Sequence, residues 1–266
     1  MPATAEALLV NDNLCQAMSF YAGANLEGKV QFLPGIRTVF CGRNYPVFNV
    51  AILEGWQIGT LRQELNAVSQ HFRSLRCGYC FWLCHGLVEP RLLAEIKNTI
   101  LPERGFYRLS EPPGMLLQGM PPVGPRNKRI EFRQVVDAAS RTTFCHLTSH
   151  IFEIPFGITT AMYGDADAWG EEFEGWVGYC GQQPVTLALL VYSAGAAGLY
   201  SIGTLPEYRK RGFGEATVRW CIDRASEHRG QKAFVLQSSD IGFSLYKRLG
   251  FNTVTGFSVF KSRESI

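Results

Sequence analysis

The chain has 266 residues, with 26 Lys and Arg against 23 Asp and Glu and a formal charge of +3, a length that suits two modest domains. With 46% hydrophobic residues it can fill real cores, which excludes a disordered chain. Outside one short basic run there is no dense Lys/Arg block with interleaved aromatics, so no nucleic-acid partner is expected. No stretch is long and apolar enough to span a bilayer, and Met1-Pro-Ala-Thr-Ala-Glu6 lacks the basic and apolar blocks of a leader. The expectation is a soluble, cytoplasmic protein with no membrane partner.

From the N-terminus, Val10, Leu14, Met18 and Tyr21 share one side of a helix over 6–21. Two β-rich runs, 37–41 and 47–53, are separated by the turn-like Gly42-Arg-Asn-Tyr-Pro46. A helix follows from Thr60, with Leu61, Leu65, Val68, Phe72 and Leu75 at spacings of three and four, then a strand over 78–84 and a helix over 89–100. A strand at 115–118 closes this half. Pro121-Pro-Val-Gly-Pro-Arg-Asn-Lys128 suits neither helix nor strand and marks the domain boundary, giving 1–124 and 125–266.

Beyond the boundary, 130–135 alternates as a strand, and Asp137 caps a helix running through His150. Strands at 176–180 and 185–192 form a hairpin through Gly181-Gln-Gln-Pro184, and a further strand runs from Gly198 to Leu205 before Pro206. Next come Arg209-Lys-Arg-Gly-Phe-Gly214 and a helix over 215–227, with Val218, Cys221, Ile222 and Ala225 on one face. A strand at 233–237, a short helix at 242–249 capped from Ser238-Ser-Asp240, and a last strand complete the order.

Strand, glycine loop and helix in this order make an anion site. The first N–H groups of a helix lack partners inside it and sit at its positive end. Glycine at 212 and 214 removes Cβ atoms that would hold a diphosphate away, and three consecutive cations raise the local potential. The spacing decides which compound. Position 217 is Thr where a dinucleotide fingerprint has its third Gly, and the Gly-Lys-[Ser/Thr] of a nucleotide triphosphatase loop is absent.

Downstream, Leu245-Tyr-Lys-Arg-Leu-Gly-Phe251 resembles the Leu-Tyr-x-x-x-Gly-Phe signature of the GNAT acyl-CoA N-acetyltransferase superfamily. Arg209-x-x-Gly212-x-Gly214 stands before it in the order and at the separation of that superfamily. The resemblance implies that the backbone of Arg209, Lys210, Arg211, Gly212, Phe213, Gly214 and Glu215 holds the coenzyme A diphosphate. It further implies that Ile202, Gly203 and Thr204 align the pantetheine arm. Ser239 stands where an Asn contact is common, and Tyr246 donates a proton to the departing thiolate. The implied activity is transfer of acetyl from acetyl-CoA to a primary amine, on a small molecule or peptide, by direct attack in a ternary complex. The other reading is a non-catalytic acyl-CoA sensor or interaction module, and the oligomeric state is expected to be monomer or homodimer.

The first half repeats the order of the second, down to Gly105-Phe106 after a helix, but has Ile52-Leu-Glu-Gly-Trp-Gln-Ile-Gly59 in place of the basic loop. It reads as a degenerate GNAT-like half of a tandem protein, with an unrelated α/β cap domain as the other reading. The expected class is therefore α/β (α+β): two tandem GNAT-like domains, each a mixed, mostly antiparallel sheet flanked by helices.

Three features stand outside this scheme. Cys77, Cys80, Cys84 and His85 crowd nine residues, yet the segment is apolar and lacks a second Cys/His pair at zinc spacing, so buried, reduced thiols and no metal are expected. The acidic run 165–174 places Trp169 and Trp176 where a calcium loop needs ligands. It reads as a solvated loop or as an acceptor mouth that draws in a protonated amine. No carboxylate stands in the strand 198–204 as a general base, and Glu153, His146 and His150 are left open. Cys221 or Cys180 as a covalent nucleophile is set below direct transfer, since no Cys–His pairing is discernible.

Overall fold

In the computed structural model of the chain, the described residues are 4–23, 27–54, 61–124 and 127–263. Positions 55–60, which include most of the segment read in place of a basic loop and the expected start of the second helix, lie outside them. The chain divides into two compact units. One comprises 1–115, 237–240 and 253–266; the other comprises 116–236 and 241–252.

The first unit opens with α1 (Ala5–Gly23), β1 (Lys29–Leu33), β2 (Ile36–Phe40) and β3 (Val50–Leu53), then α2 (Leu61–Ser74) and β4 (Cys80–Cys84). After a 3-10 turn come α3 (Pro90–Glu95), a π turn over Ile96–Ile100, α4 (Leu101–Glu103), β5 (Phe106–Ser110) and the start of β6 (Pro113–Gln118). Strands β1, β2 and β3 pair antiparallel, and β3 pairs parallel with β4 from Val50 to Ile52. Alternate residues feed two cores, as the period of two in a strand demands. Ala51, Leu53, Phe81 and Leu83 pack with Leu65, Val68 and Phe72 of α2, while Val50, Ile52 and Cys80 pack with Cys15 and Ala22 of α1. The sheet is thus covered by helices on both faces.

The second unit contains β7 (Glu131–Gln134), α5 (Ala138–Phe152), α6 (Phe156–Tyr163), β8 (Phe173–Cys180), β9 (Gln183–Ser193), β10 (Ala196–Thr204), α7 (Phe213–Arg229), β11 (Ala233–Gln237) and α8 (Asp240–Arg248). Asp137 caps α5 through a capping box with Ser140. β7, β8, β9 and β10 run antiparallel, and β10 pairs parallel with β11. A Cβ at Gly203 would meet Ile151 of α5, whereas the neighbouring Thr204 faces Gly214 of α7. Helices α5 and α7 therefore cover opposite faces.

The division differs from the expected 1–124 and 125–266 in three respects: residues 116–124 fall in the second unit, 237–240 fall in the first, and so does the C-terminal segment from 253. The last strand, β12 (Asn252–Ser262), was counted with the second half, but Phe257–Lys261 pairs antiparallel with β4 and 259–262 with β5. The long ladder, with Phe257, Val259 and Phe260 buried, fixes this strand in the first unit.

Candidate acyl-carrier site

The basic loop is shaped by two left-handed residues, Lys210 at φ 60° and Gly212 at φ 79°. A left-handed residue is costly with a side chain and free for glycine. Gly212 is the N-cap of α7 and supplies no side-chain cap, and the first intrahelical bond runs from the Ala216 N–H to the Gly212 carbonyl. The amides of Phe213, Gly214 and Glu215 are therefore the open donors of the helix start. A cleft of about 560 Å³ lies there, lined by Asn127, Arg129, Cys180, Arg211, Gly212, Phe213 and Glu215.

Residues not singled out from the sequence set the loop's geometry. The Asn127 amide donates to the Arg211 carbonyl at 3.2 Å. The Thr186 hydroxyl of β9 donates to the Gly203 carbonyl at 2.6 Å and stands 3.0 Å from that of Thr217, which donates to the Phe213 carbonyl at 2.8 Å. Thr204 joins the same cluster by donating to Thr186 at 3.3 Å. Thr217, at the place of the missing third glycine, thus ties the first turn of α7 to the ends of β9 and β10. Arg209 turns back, its Nε donating to the Thr204 carbonyl at 3.1 Å, and Arg211 lies over the Tyr208 ring at 5.4 Å. Glu215 would oppose an anion, but its carboxylate is held by Arg219 at 2.9 Å and faces Arg248 at 3.9 Å. Its amide is left to the cleft.

Strand β10 leaves β11 before this loop while staying paired with β9 through Thr204. Its parallel ladder with β11 runs over Ala197 and Gly198. On the β9 side the register breaks between Tyr200 and Gly203, so Ser201 and Ile202 together oppose one residue, a β-bulge. The stretch expected to align the pantetheine arm, Ile202, Gly203 and Thr204, therefore lies beyond the last β11 pair and is half-buried. Helix α8 comes beside the same place, with Leu245 3.9 Å from a Cβ built on Gly214.

Tyr246, on α8, is 8% exposed and packs edge-on to Phe251 with ring centroids 5.7 Å apart. Burial, and to a smaller degree the Cys221 thiol, pushes its phenol up to about 12. The group is thus neutral at any physiological pH and acts as a hydrogen-bond donor before it acts as an acid. Ser239 is exposed and falls in the short 237–240 stretch of the first unit.

The remaining candidates differ in their surroundings. Asp165, Asp167, Glu171 and Glu172 are exposed, and the Asp165 carboxylate accepts the Asp167 amide at 3.1 Å. Glu174, from the same run, is buried instead: it faces Arg224 at 3.4 Å and Arg229 at 3.7 Å and accepts from the Trp176 indole at 3.3 Å. Glu153 is the left-handed C-cap of α5, and the His146 ring stacks on Phe156 at 4.2 Å. All eight cysteines are free; Cys180 is half-exposed and the other seven are buried. Burial pushes the Cys77 and Cys80 thiols up to about 12 and the Cys221 thiol higher still, so none of these is a ready thiolate nucleophile. Among the described residues, no group of three His, Cys, Asp or Glu stands close enough to hold a metal ion, and no helix is long and apolar enough to cross a membrane.

Residues 143–251, which include the whole of this loop, match the acetyltransferase (GNAT) family. The second half carries a GNAT domain. The sequence matches no curated protein. Among solved structures, the chain resembles a GCN5-related N-acetyltransferase from Kribbella flavida, with 15% identity, a TM-score of 0.71 and coverage of 94% of this chain and 95% of that one. A GCN5-related N-acetyltransferase from Sphaerobacter thermophilus superposes with a TM-score of 0.63 at 14% identity over 100% and 96% of the two chains. A tandem GNAT protein from the clavulanic acid biosynthesis pathway gives 0.58 at 10% identity, over 85% of this chain and 78% of that one. At these identities the likeness is one of fold, and the fold is that of two tandem GNAT-like domains. Of the residues from Arg209 to Glu215, Arg211, Gly212, Phe213 and Glu215 line the cleft.

Proposed function

We propose that the chain is an N-acyltransferase that moves the acetyl group of acetyl-CoA to a primary amine by direct attack in a ternary complex. The observation that carries this reading is the start of α7. There, left-handed turns at Lys210 and Gly212 present three open amides to a cation-rich cleft, immediately after a strand that has parted from its neighbour. A diphosphate fits the amides and the helix end, and an amide-bearing arm fits a strand edge.

In this reading the backbone from Arg209 to Glu215 holds the diphosphate and Ile202, Gly203 and Thr204 align the arm. Ser239 is a further contact. The neutral amine attacks the thioester carbonyl, the carbon–sulfur bond breaks with its electron pair on sulfur, the phenol of Tyr246 gives its proton to the leaving thiolate, and the proton shed by the attacking nitrogen returns to the phenolate through water. The transfer is balanced as amine plus thioester giving amide plus thiol. No metal is needed for it.

Calorimetric titration with acetyl-CoA, followed by thiol release against a panel of primary amines, tests the reading. Tyr246→Phe is expected to lower turnover ~100-fold, the lower end of general acid contributions, with the acetyl-CoA dissociation constant nearly unchanged. A protein that binds acetyl-CoA but turns over none of the amines fits the second reading, a non-catalytic acyl-CoA sensor. The deep burial of the Tyr246 phenol favours that alternative. Absence of acetyl-CoA binding removes both.

A further inference from the structure

The outward face of α7 holds a second cavity that the acyl-carrier reading does not use. The helix turns Thr217, Val218, Cys221, Ile222 and Ala225 into the core. Ala216, Trp220, Asp223 and Glu227, at spacings of four, three and four, share the other face. With Ile130 and Phe132 they line a cavity of about 490 Å³. That volume falls among small-molecule sites, roughly 300–1,000 Å³.

One wall of the cavity is apolar and held in place. Phe132 stacks on Trp220 with ring centroids 5.0 Å apart, and Trp176 meets the Trp220 ring edge-on at 5.5 Å. Trp220 is still only half-buried, so a ligand body can cover more of it. The charge on offer is negative. Arg219 and Arg224 also line the cavity, but Arg219 is committed to Glu215 at 2.9 Å and Arg224 to Glu174 at 3.4 Å. Glu131 is likewise held by Arg133 at 2.9 Å. Glu227 is exposed and in no salt bridge among the described residues, so its carboxylate is what the cavity presents to a charged ligand. Asp223 stands one turn before it.

The cavity also touches the diphosphate cleft. Asn127 lines both, and its amide donates to the Arg211 carbonyl at 3.2 Å. Arg219 holds the Glu215 carboxylate and donates to the Pro122 carbonyl at 2.7 Å. Whatever fills the second cavity therefore rests on two side chains that set the loop.

We infer that this cavity is an effector site for a small organic cation with an apolar body, and that its occupation tightens binding of the acyl carrier. The body lies against Trp220 and Ile130, and the cation sits at Glu227. A positive charge there adds to the potential at the start of α7. An occupied wall also fixes Asn127 and Arg219, which leaves less ordering for the carrier to impose. The tightening rests on the acyl-carrier reading above, whereas occupation of the cavity does not.

Benzyltrimethylammonium serves as the probe, since it has the body and the charge but no N–H to acylate; phenylacetate, with the opposite charge, is its control. In chain labelled with fluorotryptophan, the fluorine resonance lost in Trp220→Phe is expected to shift saturably with the probe, with or without saturating acetyl-CoA, and not with phenylacetate. At low salt Glu227→Gln should weaken the probe about threefold and Glu227→Lys roughly tenfold. Unmoved resonances from the other tryptophans show that these variants keep the fold. The calorimetric dissociation constant of acetyl-CoA should fall about threefold when the probe is saturating, and acetyl-CoA should tighten the probe by the same factor. The inference is overturned by an unmoved Trp220 resonance, an equal response to phenylacetate, undiminished binding to Glu227→Lys, displacement by acetyl-CoA, or an acetyl-CoA affinity that the probe leaves unchanged. A chain that binds the probe at Trp220 and does not bind acetyl-CoA overturns the acyl-carrier reading instead.

Discussion

Strands β3 and β10 occupy equivalent places in the two units, each running parallel to the next strand and preceding a helix in the chain, yet they are built differently. All four residues of β3 are buried, and three of them pair with β4. Strand β10 has nine residues, of which two pair with β11 and the last five are half-buried. Sequence accounts for the contrast. Val50-Ala-Ile-Leu53 feeds apolar side chains to cores on both faces, so nothing is gained by opening its edge. Ser201-Ile-Gly-Thr204 has one large apolar side chain among small and polar ones; it carries a bulge on the β9 side and lies beyond the last β11 pair at Gly198. The same plan thus gives a closed sheet in one unit and an open edge in the other.

The largest test of this contrast falls on the closed sheet. Phe81, fully buried in β4 among α2 and β12 side chains, is expected to cost ~3–5 kcal/mol when replaced by Ala, from lost burial and the cavity left behind. Chemical denaturation measures the loss, while acetyl-CoA affinity in native buffer should stay at the wild-type value. A parallel fall in affinity would show that the first unit contributes to the site.

Next in size is Gly212→Asp. Asp tolerates the left-handed backbone better than other side-chain-bearing residues, so the loop should keep its shape, but a carboxylate then stands where the proposed function puts the diphosphate. Acetyl-CoA affinity is expected to fall at least ~100-fold, about 2.7 kcal/mol, with thermal stability altered by only a degree or two. Retained affinity would place the diphosphate elsewhere.

Alkali should separate the units by a third route. Burial pushes the thiols of Cys77 and Cys80 up to about 12 and that of Cys41 up to about 11, all in the first unit. The Cys15 and Cys84 thiols of that unit are raised as well. In the second unit Cys145 is pushed up to about 11 and Cys221 is raised. A thiol with a raised folded pKa binds its proton more tightly in the native state than in the unfolded chain. The stability it contributes is whole below the unfolded value of about 8.5 and is lost as pH climbs toward 11–12, at up to ~1.4 kcal/mol per pH unit for each thiol. Denaturation midpoints should therefore hold at pH 7–8 and fall steeply above 9, with tryptophan and cysteine-accessibility probes reporting the first unit opening before the second. Cys80→Val should make the decline shallower; an unchanged slope would contradict the assigned burial.

How much of this was legible in the sequence depends on how local the signal is. Helices with a clean stripe, such as α2 with Leu61, Leu65, Val68 and Phe72, and a helix with an explicit cap, such as α5 behind Asp137, were read directly. The turn into α7 was legible because its requirement, glycine at the left-handed position 212, is local. Strand β1 was missed because it is an edge strand with four of five residues exposed, which carries no apolar alternation. Helix α6 was missed because it is short and uncapped by a side chain. The placement of β12 in the first unit depends on pairing across 170 residues or more, which no window shows. The partners that shape the loop, Asn127, Thr186 and Thr217, were invisible for the same reason: each is an ordinary polar residue until the fold brings it there.

The smallest expected effect concerns the acidic run and the open unit's acceptor. Asp165, Asp167, Glu171 and Glu172 are exposed, whereas Glu174 is committed to Arg224 and Arg229 and is excluded from any such role. Exposed charges act on a ligand through water and salt, so each contributes a fraction of a kcal/mol to attraction. Replacing all four by Asn or Gln is expected to raise KM for a cationic amine about two- to fivefold at low ionic strength, and less at 0.5 M salt, where the screening length falls to a few ångström. Turnover at saturation and KM for acetyl-CoA should not move. A KM that stays fixed at low salt would leave these carboxylates as a solvated loop and remove them from the proposed function.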